Sequence, residues 1–97
     1  MTMATGLADL QGQPRKVQWA NRIRAEWLAH LDEIIALPVI PGDPWDASDQ
    51  IGLIREREIE AQRPLASWWI KREADIRWQI QNYREIRALN DAARGHV

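Results

Sequence analysis

Apolar residues recur at helical spacing between residues 14 and 37. With about 100° of rotation per residue, they fall within roughly 100° of Trp27 around a helix axis. Pro14 stands where the first residue of a helix is favoured, because the N–H that proline lacks would be an unpaired donor there. The pattern predicts a long amphipathic helix with an apolar face of Val17, Trp19, Ala20, Ile23, Trp27, Leu28, Leu31, Ile34 and Ile35.

Three prolines end this helix, since proline cannot continue it and pushes the preceding residue toward extended backbone. Residues 37–45 are therefore predicted to form an extended loop, which ends on Trp45. A shorter helix is predicted over about 47–62, with Asp46 or Ser48 as its cap. Its apolar stripe is sparse and consists of Ile51, Ile54 and Ile59.

A third helix, which is long, is predicted from Pro64 to about Ala93. Trp78 lies about 180° from Trp69 around this helix, and Ile70 and Ala74 share the side of Trp78. One helix cannot bury both faces in a three-helix monomer of 97 residues. The second face therefore needs a partner protein, a second copy of the chain, or solvent. The second face is the side of Trp78. The first face, which carries Trp69, is the stripe of Leu65, Trp69, Ile76, Ile80 and Tyr83.

No alternating strand pattern occurs, so the chain is predicted to be all-α. The expected architecture is a small antiparallel helical bundle of two long helices and one shorter helix. Residues 1–12 are small, polar and interrupted by glycine, and are predicted to be a flexible, disordered N-terminal segment. Residues 13–97 are predicted to form a single helical domain, because this length fits one core.

The composition of the chain excludes several classes of functional site. The six tryptophans supply most of the large apolar surface, and some of them must be core. The absence of cysteine excludes disulfides, thiolate metal sites and cysteine nucleophiles. The sequence shows neither a secretory signal nor an apolar run of membrane-spanning length. A cytoplasmic protein without a membrane partner is therefore expected.

One histidine and three aspartates are of the residue types that carry catalysis or bind metals, and a structural role explains each of them. His30 lies at the edge of the apolar face of the first helix, where packing explains it better than general-base chemistry. Asp43, Asp46 and Asp49 recur at intervals of three, but they lack the ligand pattern of a calcium-binding loop and suit the start of a helix. We therefore expect no enzymatic activity, no catalytic or metal-binding residues and no cofactor.

Binding to another protein is the function that the sequence favours, because tryptophan and arginine are enriched at interface hot spots. Trp78, with Ile70, Ala74 and Arg77, is the predicted contact surface. Trp45 on the proline-rich loop is a second candidate, and the alternative for Trp45 is that it folds back onto the bundle.

Nucleic-acid binding is the alternative function. Basic residues dominate the two long helices, and tryptophan can stack on unpaired bases. However, the net charge is −1, and acids interrupt the basic residues as in intrahelical ion pairs. The residues predicted for this alternative are Arg15, Lys16, Arg22, Lys71, Arg72 and Arg84.

Two short motifs resemble a known kind of module. Residues 12–24 match the pattern G-x-x-[KR]-x-[IV]-x-W-A-x-x-I-R, and residues 66–70 match A-x-W-W-I. Together these motifs resemble those of a small helical module found in proteins of phages, plasmids and other bacterial mobile elements. The chain departs from the module at Lys16, where glutamine is usual, and at Glu73, where arginine is usual.

The resemblance implies a helical fold and a mobile-element setting in a bacterial host. Freestanding chains of this size from such elements are often inhibitors of host defence systems, among which the anti-CRISPR proteins are the best known. By this analogy the chain is expected to be a protein-binding inhibitor of a bacterial defence complex. A homodimer is the alternative to a foreign partner, because a second copy would cover the face of Trp78.

Overall fold

The computed structural model describes residues 7–95, and it contains four helices over that range. They are α1 (Pro14–Ile35), α2 (Ala47–Ala61), α3 (Ala66–Lys71) and α4 (Glu73–Gly95). The all-α prediction is confirmed, and α1 begins at Pro14 as predicted. The predicted third helix is instead two helices, because the backbone leaves the helical conformation at Arg72, where φ is −99° and ψ is 2°.

The central helix is α1, which contacts all three others. It runs antiparallel to α2, as shown by the ion pair of Asp32 with Arg57 and by the hydrogen bond from Gln50 to the carbonyl of Ile35. Within the described range, no Cα atom of α2 lies within 8 Å of one in α4. The molecule is therefore elongated and open, with principal extents of 52 × 24 × 18 Å.

The larger core cluster lies between α1, α3 and the first half of α4. Trp69 is completely buried in it, and its indole Nε1 donates a hydrogen bond to the carbonyl of Arg63 at 3.2 Å. This bond gives the polar end of a buried ring the partner that it needs. The buried members of the cluster are Ala20, Ile23, Ala66, Trp69, Ile76 and Ile80.

A smaller cluster joins α1 to α2 and consists of Leu28, Leu31 and Ala61. Trp27 is partly buried and packs against both clusters. One tryptophan therefore joins the two halves of the core. Of the predicted main stripe of the third helix, Trp69, Ile76 and Ile80 are core, whereas Leu65 is 50% exposed.

Residues 7–12 lie against the helices, although they belong to the segment that was predicted to be flexible. Gln11 pairs with the chain before α3: its N–H donates to the carbonyl of Pro64 at 2.7 Å, and its carbonyl accepts from the N–H of Ala66 at 3.0 Å. Arg24 is buried and donates to the carbonyl of Ala8 at 2.6 Å. The rest of the predicted flexible segment, residues 1–6, lies outside the described residues.

The acids predicted to begin α2 do so. The side chain of Asp46 accepts a hydrogen bond from the N–H of Asp49 at 2.9 Å, and that of Asp49 accepts from the N–H of Asp46 at 3.1 Å. This reciprocal capping box satisfies two otherwise unpaired donors at the helix start. A side-chain oxygen of Asp43 accepts from the N–H of Trp45. All three aspartates therefore hold the turn into α2.

Replacing Trp69 with phenylalanine tests the core assignment. The change leaves the carbonyl of Arg63 without its donor and removes packing from a fully buried site, so we expect the free energy of unfolding to fall by about 1–3 kcal/mol. Trp78→Phe is the matched control, because Trp78 is 65% exposed, and it should change stability by no more than about 0.5 kcal/mol. Urea denaturation measures both, and equal losses would contradict the assignment.

Candidate functional site: the outer face of α4

The exposure of α4 changes along its length. Ile76 and Ile80 are buried against α1, and Tyr83 is partly buried. From residue 84 to residue 93, every side chain is exposed. The first half of α4 therefore anchors the helix to α1, and the second half extends beyond the core.

Apolar side chains are also exposed on a second side of α4, which borders α1 at His30. Trp78 is 65% exposed, Ile86 is 49% exposed and Leu89 is 70% exposed. Their spacing of eight and then three residues places them within about 80° of one another, roughly opposite the buried Ile80. Asn82 and Glu85 fall within the same sector. We call this surface the outer stripe; its members are Trp78, Asn82, Glu85, Ile86 and Leu89.

The structure places the residues of the predicted contact surface around Trp78 in different surroundings. Ala74 is exposed one helical turn before Trp78, on the same side of α4. Ile70 is partly buried and packs against the larger core cluster instead. The apolar surface therefore continues from Trp78 toward the C-terminus, to Ile86 and Leu89, rather than back toward α3. The spacing from Trp78 to Leu89 was present in the sequence and is the signal that would have found them.

The predicted contact residue Arg77 belongs to a surface network. Its guanidinium lies 3.0 Å from the carboxylate of Glu73 and 3.4 Å from that of Glu26. The indole Nε1 of Trp19 also donates to Glu73, at 3.2 Å. Hydrogen bonds from Trp19 and then from Arg77 lower the pKa of the Glu73 carboxyl. Arg77 therefore helps to connect α1 with α4 and is not a free cation.

Trp45 folds back toward the end of α1. Its indole Nε1 donates to the carbonyl of Leu37 at 3.2 Å, and the side chain is partly buried. It also lines a cleft of about 250 Å³ between the loop and the end of α4, where Arg87, Asn90 and Asp91 form the opposite wall. The alternative for Trp45, packing back onto the bundle, thus matches its position better than a protruding contact residue does.

The residues predicted for nucleic-acid contact are spread over three helices. Arg72 stacks on the ring of Trp68, with its guanidinium carbon 4.2 Å from the ring centroid. None of the six forms a salt bridge within residues 7–95, and Arg72 is exposed like the other five. They are Arg15, Lys16 and Arg22 on α1, Lys71 at the end of α3, and Arg84 in the middle of α4.

His30 lies between two aromatic rings that join α1 to α4. Its ring centroid is 5.5 Å from that of Trp27 and 5.1 Å from that of Tyr83. The side chain is buried, and its Nδ1 atom has no hydrogen-bond partner among the described residues. Burial lowers the pKa of His30; the nearby Glu33 carboxylate opposes this effect, and the Arg84 guanidinium reinforces it. His30 is therefore a neutral packing residue at neutral pH.

In the described part of the chain, no cluster of three or more His, Cys, Asp or Glu side chains is arranged to hold a metal ion. No helix over the same residues is long and apolar enough to span a bilayer. Comparison of the chain with models of protein families, with curated proteins and with solved structures finds no match.

The burial of His30 predicts a specific pH dependence of stability. Because its pKa is lower in the folded protein than the value of about 6.5 in an unfolded chain, the unfolded state binds a proton that the folded state does not. The free energy of unfolding should therefore fall as the pH drops below about 6.5, until the folded-state pKa is passed. Urea denaturation of the wild type and of His30→Gln at several pH values measures the difference.

The comparison with His30→Gln isolates this residue, because the carboxylates titrate alike in both proteins. We expect the wild type to lose more stability than the variant as the pH is lowered. Parallel pH profiles for the two proteins would contradict the assignment of His30 as a buried neutral side chain.

Proposed function

We propose that this chain is a non-enzymatic protein-binding module and that the outer stripe of α4 is its contact surface. The observation that carries the proposal is the exposure of Trp78, Ile86 and Leu89 together on one side of one helix. Single exposed apolar residues are ordinary, but several large ones on one side of a helix, tryptophan among them, are typical of an interaction site.

The shape of the outer stripe favours a helical partner. From Trp78 to Leu89 the stripe spans about 17 Å at 1.5 Å per residue, and it runs along the helix axis. A narrow apolar stripe of this kind packs best against the apolar stripe of another helix, whose side chains fit between its own. We therefore propose that the partner presents an amphipathic helix to α4.

The finer proposal is that the module inhibits a bacterial defence complex, in the manner of anti-CRISPR proteins. Its support is the resemblance of residues 12–24 and 66–70 to modules of mobile elements, together with the small size of the chain. Nucleic-acid binding remains the alternative; the net charge of −1 and the stacking of Arg72 on Trp68 weigh against it.

Affinity capture with matched variants tests the proposal. The tagged wild-type chain and Ile51→Ser, which changes an exposed isoleucine of α2, should retain the same stoichiometric protein partner from a bacterial lysate. Trp78→Ser should lose it, because removal of a hot-spot tryptophan weakens binding by at least about 30-fold. The complex should also survive nuclease treatment.

Three results would count against this proposal. One is retention of the same partner by Trp78→Ser at an unchanged level. Another is loss of the complex on nuclease treatment, which favours the nucleic-acid alternative. The third is a fall in the melting temperature of Trp78→Ser as large as that of a core variant, which would place Trp78 in the core.

A further inference from the structure

We propose that the helix that packs on the outer stripe is α4 of a second copy of this chain, in antiparallel orientation. This inference rests on the proposed function, because it names a partner of the same surface; since the dimer is weak and reversible, a foreign partner with higher affinity would displace the second copy. Two features of α4 support it: the distribution of large and small side chains, and the position of its polar groups.

The outer face of α4 carries its largest side chain, Trp78, one turn after Ala74 and carries smaller side chains toward the C-terminus. Trp78 lies near the start of the helix, whereas Ala92 and Ala93 lie near its end, beside Leu89. In an antiparallel pair, each Trp78 packs against Leu89 and the alanines of the other copy. A parallel pair would place the two tryptophans side by side and leave the alanines facing each other across a gap. The antiparallel orientation thus matches each tryptophan with smaller side chains, which the parallel orientation does not.

The polar residues of the outer stripe give the same orientation. If Trp78 is opposite Leu89 of the second copy, the two-fold axis passes near residues 83 and 84, and Asn82 is opposite Glu85. Oε1 of Glu85 already accepts from Gln81 at 3.0 Å, so the Asn82 amide can then donate to Oε2 of Glu85, and this contact occurs twice. A parallel pair would place Glu85 of one chain beside Glu85 of the other, and the two negative charges would repel each other. The antiparallel pair also aligns the two helix dipoles favourably.

The small area of the surface limits the affinity of the dimer. A helix of 23 residues is about 35 Å long, and a strip of it about 10 Å wide covers several hundred Å². This is less than the roughly 800 Å² per partner of a standard stable interface. We therefore expect a weak, reversible dimer with a Kd on the order of 10 µM.

Sedimentation of the purified full chain over a range of concentrations tests the inference. The mass should rise from 11.3 kDa toward twice that value as the concentration passes the expected Kd. Trp78→Ser should weaken the dimer by at least about 30-fold, whereas the control Ile51→Ser should not change it. Glu85→Gln should strengthen it, because the variant removes a charge from the interface and keeps the acceptor for Asn82.

The outcomes separate this inference from the proposed function. A chain that stays monomeric well above the expected Kd overturns the second copy as partner, and the proposed function then stands if capture of another protein still depends on Trp78. A dimer that Trp78→Ser leaves unchanged also overturns the inference, because the contact would lie elsewhere. Circular dichroism of Trp78→Ser confirms that the variant is folded.

Discussion

The packing of every other helix on α1 is the constraint on which the rest of the structure depends. The chain has 97 residues, and a domain this small buries a limited share of its surface, so few side chains can carry the core. One side of α1 packs with α3 and α4 around Trp69, another packs with α2 around Leu31, and Trp27 contacts both clusters. Because α2 and α4 have no Cα atoms within 8 Å of each other in residues 7–95, each depends on α1 for its position.

This arrangement explains why α4 has an exposed apolar face. In a closed three-helix bundle, α2 would pack against α4 and cover part of it. Here α4 packs only against α1 and α3 among the described helices, and its second half extends past the core. No helix within residues 7–95 therefore covers the apolar residues on its outer side. In the proposed dimer, a second α4 would provide such a cover with side chains that the sequence already contains.

The sequence predicted the helices well where a physical rule fixes them. Local backbone geometry determines several of the helix ends, so these ends could be predicted without knowledge of the tertiary structure. The residues concerned are Pro14 at the first helical position, the prolines after Leu37 and the capping aspartate Asp46. The turn at Arg72 could not, because no proline or glycine marks it and the apolar spacing continues through it. The contacts of Gln11 with Pro64 and Ala66 were also unpredictable, since they join residues more than fifty positions apart.

The candidate site was predicted only in part, for a similar reason. The opposite positions of Trp69 and Trp78 follow from helical periodicity, and Trp78 is indeed exposed. Whether Ile70 belongs to the core or to the outer surface depends on where α1 packs, which periodicity does not give. The hydrogen bond from Trp45 to Leu37 likewise depends on the path of the loop.

Disulfide trapping tests the antiparallel contact of two α4 helices most directly, because the chain contains no cysteine of its own. Asp75→Cys and Ala93→Cys are made as separate proteins and mixed under mild oxidation. Asp75 and Ala93 lie on the same flank of the outer stripe, about 27 Å apart at 1.5 Å per residue. The antiparallel pair predicts a disulfide that joins the Asp75→Cys protein to the Ala93→Cys protein. Links between identical variants only, or no more linkage than an Ile51→Cys control gives, would contradict it.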